Sequence, residues 1–180
     1  MTRSTRNPAR SLFRTLVLAA GLGLGAGAVS AQDATQFNDW YAKKTGAPVE
    51  CFIVSAPSSS TAKRNGSTVS VRRGDIRLYV VQRPGSNVTE VSFAAGYPLR
   101  QGSTVKIIID DEEYSLYPDS SVDAEWAWGD PNREAALIAK MKAGITARVV
   151  GVSSRGTTTT DSFSLKGFTA AIENAANMCK

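Results

Sequence analysis

Residues 76–81 read Ile76-Arg77-Leu78-Tyr79-Val80-Val81, and Ile76, Leu78 and Val80 occupy alternate positions. This alternation is typical of a β-strand that buries one face. Similar runs recur on both sides of it, at residues 51–55, 88–95, 105–109, 114–117, 145–152 and 157–165. Turn-forming residues separate the runs at intervals of about 8 to 12 residues. The pattern predicts a mainly β fold of about seven or eight short strands, either a β-sandwich or, alternatively, a barrel.

Other segments near the N-terminus predict helix, loop and a further strand. Residues 34–44 place three aromatic side chains at helical spacing and are followed by Gly46, which predicts a short N-terminal helix. Residues 57–66 are rich in serine and polar, which predicts a surface loop. Val69 and Val71 then predict a short strand.

Two further helices are predicted in the second half of the chain. Asp130 can cap the first of them, Pro131 suits its first turn, and Gly144 can end it in the left-handed conformation. The second follows Gly167 and ends near Cys179. Its apolar stripe has spacings of four, three and four residues, at Phe168, Ile172, Ala175 and Cys179. The fold class is therefore mainly β with two or three short helices, one of them C-terminal.

The first 31 residues have the features of a secretory signal peptide. Four arginines and no acidic residue precede an apolar run at residues 16–29, which is shorter than the roughly 20 residues that span a bilayer. Small residues follow, so we expect cleavage between Ala31 and Gln32; the alternative is an uncleaved N-terminal anchor. The sequence thus predicts an exported protein, with residues 32–180 as a single domain and no transmembrane segment in the mature chain.

Removal of the signal peptide changes the charge balance. The whole chain has 21 Lys and Arg against 16 Asp and Glu, and the four arginines lost with the signal leave 17 against 16. Nucleic-acid binding through a basic surface is therefore not expected. The chain also has no histidine, which excludes mechanisms and metal sites that need an imidazole.

The only two cysteines, Cys51 and Cys179, lie at opposite ends of the mature chain. Cys51 belongs to a strand pattern and Cys179 to the stripe of the last helix, so both are expected to be buried. Two buried cysteines in an oxidising compartment form a disulfide by default. The alternative is two inert thiols, and a catalytic cysteine would lack a histidine to activate it.

No motif identifies a catalytic, metal-binding or cofactor-binding residue. The acidic run at residues 110–113 lacks the alternation and the glycine of a calcium loop and predicts an exposed hairpin tip. Ser60-Thr61-Ala62-Lys63 has the letters of a Ser-x-x-Lys motif but lies in the predicted polar loop. No sequence feature brings two of the carboxylates together for glycoside hydrolysis, although several are available: Asp75, Glu90, Asp123, Glu125 and Asp161.

The most distinctive local feature is Trp126-Ala127-Trp128. In an extended segment the two indoles point to the same side. If they are exposed, they form an aromatic platform for a glycan, a peptide or a partner surface; if they are buried, they belong to the core. A small basic group at Arg72, Arg73 and Arg77 predicts a solvated strand edge that resists pairing with other strands.

Several of these segments together resemble a known family. The most specific is Ser164-Leu165-Lys166-Gly167-Phe168-Thr169-Ala170-Ala171, preceded by Ser154-Arg155-Gly156-Thr157. Cys51, Gly96-Tyr97-Pro98-Leu99 with Gly102, and Trp126-Ala127-Trp128 fit in the same order. The mature chain resembles the invasion-associated locus B family of bacterial envelope proteins.

The resemblance implies an exported protein with an immunoglobulin-like β-sandwich and no established enzymatic activity. Many members look to carry a further cysteine pair in the middle of the chain, which is missing here, so Cys51–Cys179 is the only bridge that can form.

We therefore expect a non-enzymatic protein of the periplasm, outer membrane or cell surface. Its expected partner is a protein or a component of the envelope or of a host surface, with Trp126 and Trp128 as the candidate interaction surface. The alternatives are a periplasmic chaperone or inhibitor that pairs with partner strands, and a hydrolase that uses carboxylates.

Overall fold

The structure, a computed structural model, describes residues 34–85 and 89–180 of the 180-residue chain. The predicted signal peptide and its cleavage site between Ala31 and Gln32 lie outside these residues. The described strands are β1 Thr35–Phe37, β2 Trp40–Lys44, β3 Cys51–Ser55, β4 Ser59–Arg64, β5 Ser67–Thr68, β6 Arg77–Gln82, β7 Thr89–Ala94, β8 Val105–Ile109, β9 Glu112–Asp119, β10 Asp123–Gly129, β11 Thr146–Val152 and β12 Thr158–Ser164. The helices are α1 Glu134–Ala143 and α2 Phe168–Met178.

All twelve strands join through antiparallel pairing into one continuous sheet. Their order is β1-β2-β3-β6-β7-β10-β9-β8-β11-β12-β4-β5. The sheet folds back on itself, because Phe93 of β7 packs edge-on against Phe163 of β12, with ring centroids 6.2 Å apart. Both side chains are fully buried and belong to one apolar core.

The predicted mainly β class is therefore confirmed, including the C-terminal helix. The immunoglobulin-like detail is not confirmed, because the strands form one sheet instead of two separate ones. The described residues also contain more strands than the seven or eight that the alternation predicted, since several short polar strands have no apolar face to reveal them.

The strands confirm the period-two interpretation where one face is buried. In β3, Cys51 and Ile53 point into the core, whereas Phe52 and Val54 lie on the outer face. Opposite them in β6, Leu78 and Val80 are buried. The other runs identified by alternation also lie in strands, namely β7, β8, β9, β11 and β12.

The helix predicted at residues 34–44 is wrong. This segment is a hairpin of β1 and β2, with Asn38 at its turn in a positive-φ conformation. Trp40 and Ala42 are buried and Tyr41 between them is exposed, which is the period of a strand. The aromatic spacing also suited a helix, so tertiary contacts decided: the Trp40 indole donates a hydrogen bond to the carbonyl of Ser164 at 2.9 Å.

The polar loop predicted at residues 57–66 is also wrong, because most of it forms β4. This strand pairs with β12 over residues 59–63 and exposes most of its side chains, so it carries no hydrophobic alternation. The short strand predicted at Val69 and Val71 is displaced to Ser67 and Thr68. Residues 69–76 instead cross from β5, at one end of the sheet order, to β6.

The last helix is confirmed and explains the Ser-Leu-x-Gly-Phe segment. Gly167 precedes α2 with φ of 91°, a conformation that suits glycine. A Cβ at this position would also collide with the carbonyl oxygen of Phe37. The first residue of the helix, Phe168, packs edge-on against Trp40 at 5.0 Å between ring centroids. The motif therefore lets α2 start directly against the N-terminal hairpin.

The predicted internal helix is confirmed as α1 and ends at Gly144 as expected, but its predicted N-cap and the predicted conformation of Gly144 are wrong. Arg133 is the N-cap of α1, and Asp130 instead accepts the N–H of Asn132 in a turn before the helix. Gly144 is extended, with φ of −81° and ψ of 171°, rather than left-handed. It can be extended because the chain passes directly from α1 into β11.

A disulfide joins Cys51 of β3 to Cys179 at the end of α2. The Cα atoms are 5.8 Å apart and the bridge spans 128 residues of sequence. The C-terminal helix is thus covalently attached to a central strand of the N-terminal half.

Candidate functional site

Trp126 and Trp128 lie on the outer face of the sheet, because Ala127 between them occupies the core-facing position. Their half-buried rings are 6.3 Å apart and nearly parallel. Trp126 also stacks on Tyr79 of β6 at 5.2 Å, and Tyr79 contacts Phe52 of β3 at 6.0 Å. We call these four residues the aromatic strip. The core interpretation of the tryptophans is therefore wrong, whereas their role in interaction stays a prediction.

The aromatic strip depends on small side chains in β7. This strand lies between β6 and β10 and presents Ser92 and Ala94 on the outer face. Both are almost fully buried although they point away from the core. Tyr79 and Trp126 come from the strands on either side of β7, so their rings meet above these two residues. Larger side chains there would hold the rings apart.

Exposed tyrosines continue the aromatic strip at both ends. Tyr41 pairs with Val54 on one side and is 42% exposed. Tyr117 pairs with Trp128 on the other side and is 50% exposed. The outward face of an antiparallel sheet is usually polar, and an apolar stretch of this extent commonly marks an interaction site.

Charged side chains of both signs lie beside the aromatic strip. Arg83 donates a hydrogen bond to Glu50 at 2.8 Å and lies 3.5 Å from Glu90. At the other end, Arg77 lies 3.7 Å from Asp75. Trp, Tyr and Arg are the residue types that contribute most to binding energy in protein interfaces, and a polar rim around apolar anchors is their usual setting.

A second feature is a surface cavity of about 470 Å³ between loops. Its lining combines the crossing segment after β5, the end of β4, the segment after β7 and the turn between β11 and β12. We call it the arginine groove, after Arg64, Arg72, Arg73 and Arg155. One carboxylate, Glu125, is also in the lining.

Arg73 and Asp161 form a buried ion pair beside the arginine groove. The guanidinium donates to both carboxylate oxygens, at 2.6 and 2.8 Å, and to the carbonyl of Ala95 at 2.7 and 3.0 Å. The two side chains are only 7% and 0% exposed. Ser60 adds a hydrogen bond to Asp161 at 2.6 Å. The expectation of a solvated strand edge is therefore wrong for Arg73, which attaches the crossing segment to β12.

Tyr97 lies directly next to this ion pair. Its ring is 4.8 Å from the Arg73 guanidinium, and its hydroxyl shares a 2.7 Å hydrogen bond with Thr159. Burial raises the pKa of the Tyr97 phenol, while the bond to Thr159 and the charge of Arg73 oppose that rise. The hydroxyl fits because residue 151 is glycine; a Cβ there would lie 2.9 Å from it.

The other sequence candidates are dispersed. Ser60, the serine of the Ser-x-x-Lys sequence match, donates its hydrogen bond to Asp161 and not to Lys63. The acidic tip between β8 and β9 is a hairpin turn, as predicted, but Lys140 of α1 contacts Asp110 at 3.0 Å and Glu112 at 3.5 Å. Within residues 34–85 and 89–180, no group of three or more Asp, Glu or Cys side chains is arranged to hold a metal ion.

Sequence reasoning missed the arginine groove, although two of its walls carry segments that were singled out. Gly96-Tyr97-Pro98 and Ser154-Arg155-Gly156-Thr157 carry part of the family resemblance, and in the structure both segments line the same cavity. Ser154 donates its backbone N–H to the carbonyl of Pro98 at 2.8 Å. The available signal was two glycine-containing turns with polar surroundings, which does not specify that they converge.

Comparison with known proteins identifies relatives by sequence family and by fold. The family model described as invasion associated locus B (IalB) protein matches residues 41–176. The crystal structure of invasion associated protein B from Bartonella henselae is similar, with a TM-score of 0.55 and 13% identity, over 81% of this chain and 96% of that chain. No protein of curated function is significantly similar in sequence. Among the described helices, none is long and apolar enough to cross a membrane.

Proposed function

The chain belongs to the invasion-associated locus B family, and we propose that it is an exported envelope protein that binds a protein partner without catalysing a reaction. Cleavage between Ala31 and Gln32 would release residues 32–180 into the periplasm or to the cell surface. The signal-like N-terminus supports export. The Cys51–Cys179 disulfide supports an oxidising compartment.

The observation that carries the proposal is the aromatic strip on the outer face of the sheet. Its composition favours a protein partner, because tryptophan and tyrosine bury large areas with few rotatable bonds. The rim offers Arg77 and Arg83 together with Glu50, Glu90 and Asp75. A partner with an apolar centre and charges of both signs at its edge would complement this surface.

Crosslinking in intact cells tests where the partner binds. A photoreactive residue at position 117, beside Trp128, should give a discrete crosslinked product. The same residue at position 148, on the exposed side of β11, is the matched control and should give none. Trp128→Ala should remove the product at position 117. Equal products at both positions, or a product that survives Trp128→Ala, would reject the aromatic strip as the binding surface.

Compartment is tested separately by antibody labelling of intact and permeabilised cells. Labelling of intact cells would support a surface role, whereas labelling only after permeabilisation would support a periplasmic one. Cell fractionation and mass spectrometry test export itself. Recovery of the protein only from the cytoplasmic fraction, with residues 1–31 still present, would reject export.

The alternatives have less support in the geometry. Within the described residues the terminal strands of the sheet, β1 and β5, have three and two residues. Because β5 pairs only with Lys63 and Arg64, residues 59–61 of β4 are also at the edge, so a partner strand would find only short open stretches. Of the carboxylates considered for hydrolysis, Asp161 is fully buried in its ion pair, where a substrate cannot reach it. Asp75 is highly exposed next to Arg77.

A further inference from the structure

The arginine groove holds more positive charge than its surroundings neutralise. Arg73 is matched by Asp161, which leaves Arg64, Arg72 and Arg155 against the single carboxylate of Glu125. Among the described residues, no carboxylate lies within ion-pair distance of these three arginines. Like charges that converge without compensation repel one another, so the arrangement favours an anionic ligand.

Three separate segments bring these arginines together and hold their backbones in place. Arg72 precedes Arg73, which is anchored by Asp161 and Ala95. Arg64 donates two hydrogen bonds to Thr157 Oγ1, at 2.7 and 3.0 Å. The turn that carries Arg155 is closed by backbone hydrogen bonds from Ser153 to Thr157 and from Gly156 to Ser153, each 2.9 Å. A ligand would therefore meet a largely preorganised site.

The charge and the donor types identify the class of ligand. Three arginines against one glutamate leave an excess of two positive charges. A phosphate monoester carries about −1.5 to −2 at neutral pH, whereas a carboxylate carries one charge. Guanidinium groups also bind phosphate through paired hydrogen bonds. The hydroxyls of Ser70 and Ser154 in the lining supply further donors.

We propose that the arginine groove binds a phosphate monoester, with Arg72 and Arg155 as its principal ligands and Arg64 as a third. The volume of about 470 Å³ is large enough for an attached sugar or headgroup as well as the phosphate itself. The phosphate can come from a soluble sugar phosphate or from a lipid headgroup. The site is independent of the aromatic strip and of the protein partner proposed for it.

Calorimetry at low ionic strength tests the proposal with glucose 1-phosphate, and with glucose as the uncharged control. Vesicles of phosphatidylcholine with and without phosphatidic acid provide the lipid arm. We expect binding to glucose 1-phosphate, to phosphatidic acid vesicles, or to both, and none to glucose or to pure phosphatidylcholine. Binding in the vesicle arm alone would identify a lipid source, and binding to glucose 1-phosphate would show that the soluble group suffices.

Two charge-matched variants make the result specific. Arg72→Gln/Arg155→Gln should raise the Kd about a hundredfold, because each of the two arginines loses a hydrogen bond to a charged group and each such bond is worth about tenfold. Arg148→Gln/Lys166→Gln removes two exposed cations elsewhere and should leave the Kd nearly unchanged. Both variants should melt like the original protein, because all four side chains are exposed.

The proposal is overturned if neither phosphate probe binds. It is also overturned if both double variants weaken binding equally, because the effect would then reflect net charge alone. Trp128→Ala should leave phosphate binding intact, so failure of the protein-partner proposal and failure of this one are distinguishable.

Discussion

Two carboxylates, Asp161 of β12 and Glu134 of α1, are both buried but have different hydrogen-bonding and charged partners. Asp161 has a guanidinium on both oxygens and a hydroxyl from Ser60. Glu134 accepts one backbone N–H, from Val91 of β7 at 2.7 Å, and lies against Gly129. No cation lies within ion-pair distance of Glu134 among the described residues. Burial raises the pKa of Glu134, and the charges of Glu90 and Asp130 add to that rise.

The difference shows what a buried charge demands of the surrounding chain. A carboxylate removed from water loses several kcal/mol of solvation unless opposite charge and hydrogen bonds replace it. Asp161 obtains that replacement from a residue 88 positions away, and in doing so it attaches the segment at residues 69–76 to the sheet. Glu134 lacks this partner, so its ionisation opposes the packing of α1 on β7.

The largest expected effect comes from breaking the ion pair. Arg73→Met should lower the free energy of unfolding by about 3–5 kcal/mol, because Asp161 would remain buried without a cation. Chemical denaturation measures the change, and Arg72→Met, at an exposed neighbour, is the control. Adding Asp161→Asn to Arg73→Met should recover part of the loss. A loss below about 1 kcal/mol for Arg73→Met would show that Asp161 is satisfied without it.

The disulfide provides a covalent attachment against which the ionic one can be compared. Cys51→Ser/Cys179→Ser should lower stability by about 2–4 kcal/mol, chiefly because the unfolded chain gains conformational freedom. Thermal melts with and without reductant should differ for the original protein and coincide for the variant. Identical melting temperatures of the original protein in both conditions would show that the bridge contributes nothing.

A smaller effect on stability is expected from the Ser60 hydroxyl, whose contribution at Asp161 can be measured apart from that of the Arg73 guanidinium. Ser60→Ala removes the 2.6 Å hydrogen bond and should cost about 1–2 kcal/mol, since the acceptor is charged. Ser59→Ala, at an exposed position in the same strand, should change the denaturation midpoint little. If both substitutions have the same effect, the Ser60 bond adds nothing to the ion pair.

The smallest effect, and one of opposite sign, is expected at Glu134. Because its pKa is raised in the folded state, its stabilising contribution is present at low pH and is lost as the pH rises through the folded pKa. Glu134→Gln stays neutral and can still accept the N–H of Val91. At neutral pH it should equal or exceed the original stability, by less than about 1 kcal/mol.

The dependence of stability on pH tests whether the pKa of Glu134 is raised in the folded protein. Stability measured across the ordinary glutamate pKa and upward should decline less in Glu134→Gln than in the original protein. Parallel pH profiles would show that the pKa of Glu134 does not change on folding.

The aromatic strip could be located from the sequence but not oriented. Trp126 and Trp128 are neighbours in a period-two pattern, so their common side was predictable. Hydrophobicity left open whether that side was inside. Ala127 decides it, because it pairs with Phe93, whose ring fills the core next to the small alanine. Ser92 and Ala94, which let the rings meet, are unremarkable in sequence.

The secondary structure was predicted wrongly where the local sequence pattern and the tertiary contacts favour different conformations. The segment at residues 34–44 satisfied helical spacing, yet its backbone pairs as a hairpin and Trp40 is fixed by β12 and α2. The polar β4 shows no hydrophobic alternation because only Ala62 is buried within it. In both cases contacts with residues distant in sequence stabilise the strand, so the local sequence does not reveal it.

By itself the sequence determined the mainly β class, the C-terminal helix and the identity of the only possible cysteine pair. Each of these depends on local periodicity or on a count. Only the tertiary structure decided that Arg73 meets Asp161, that four arginines surround one cavity and that the tryptophans face outward. The physical reason is that strand order and the folding of the sheet choose which distant residues meet. Period-two patterns record which side of a strand is apolar and carry no information on its neighbours.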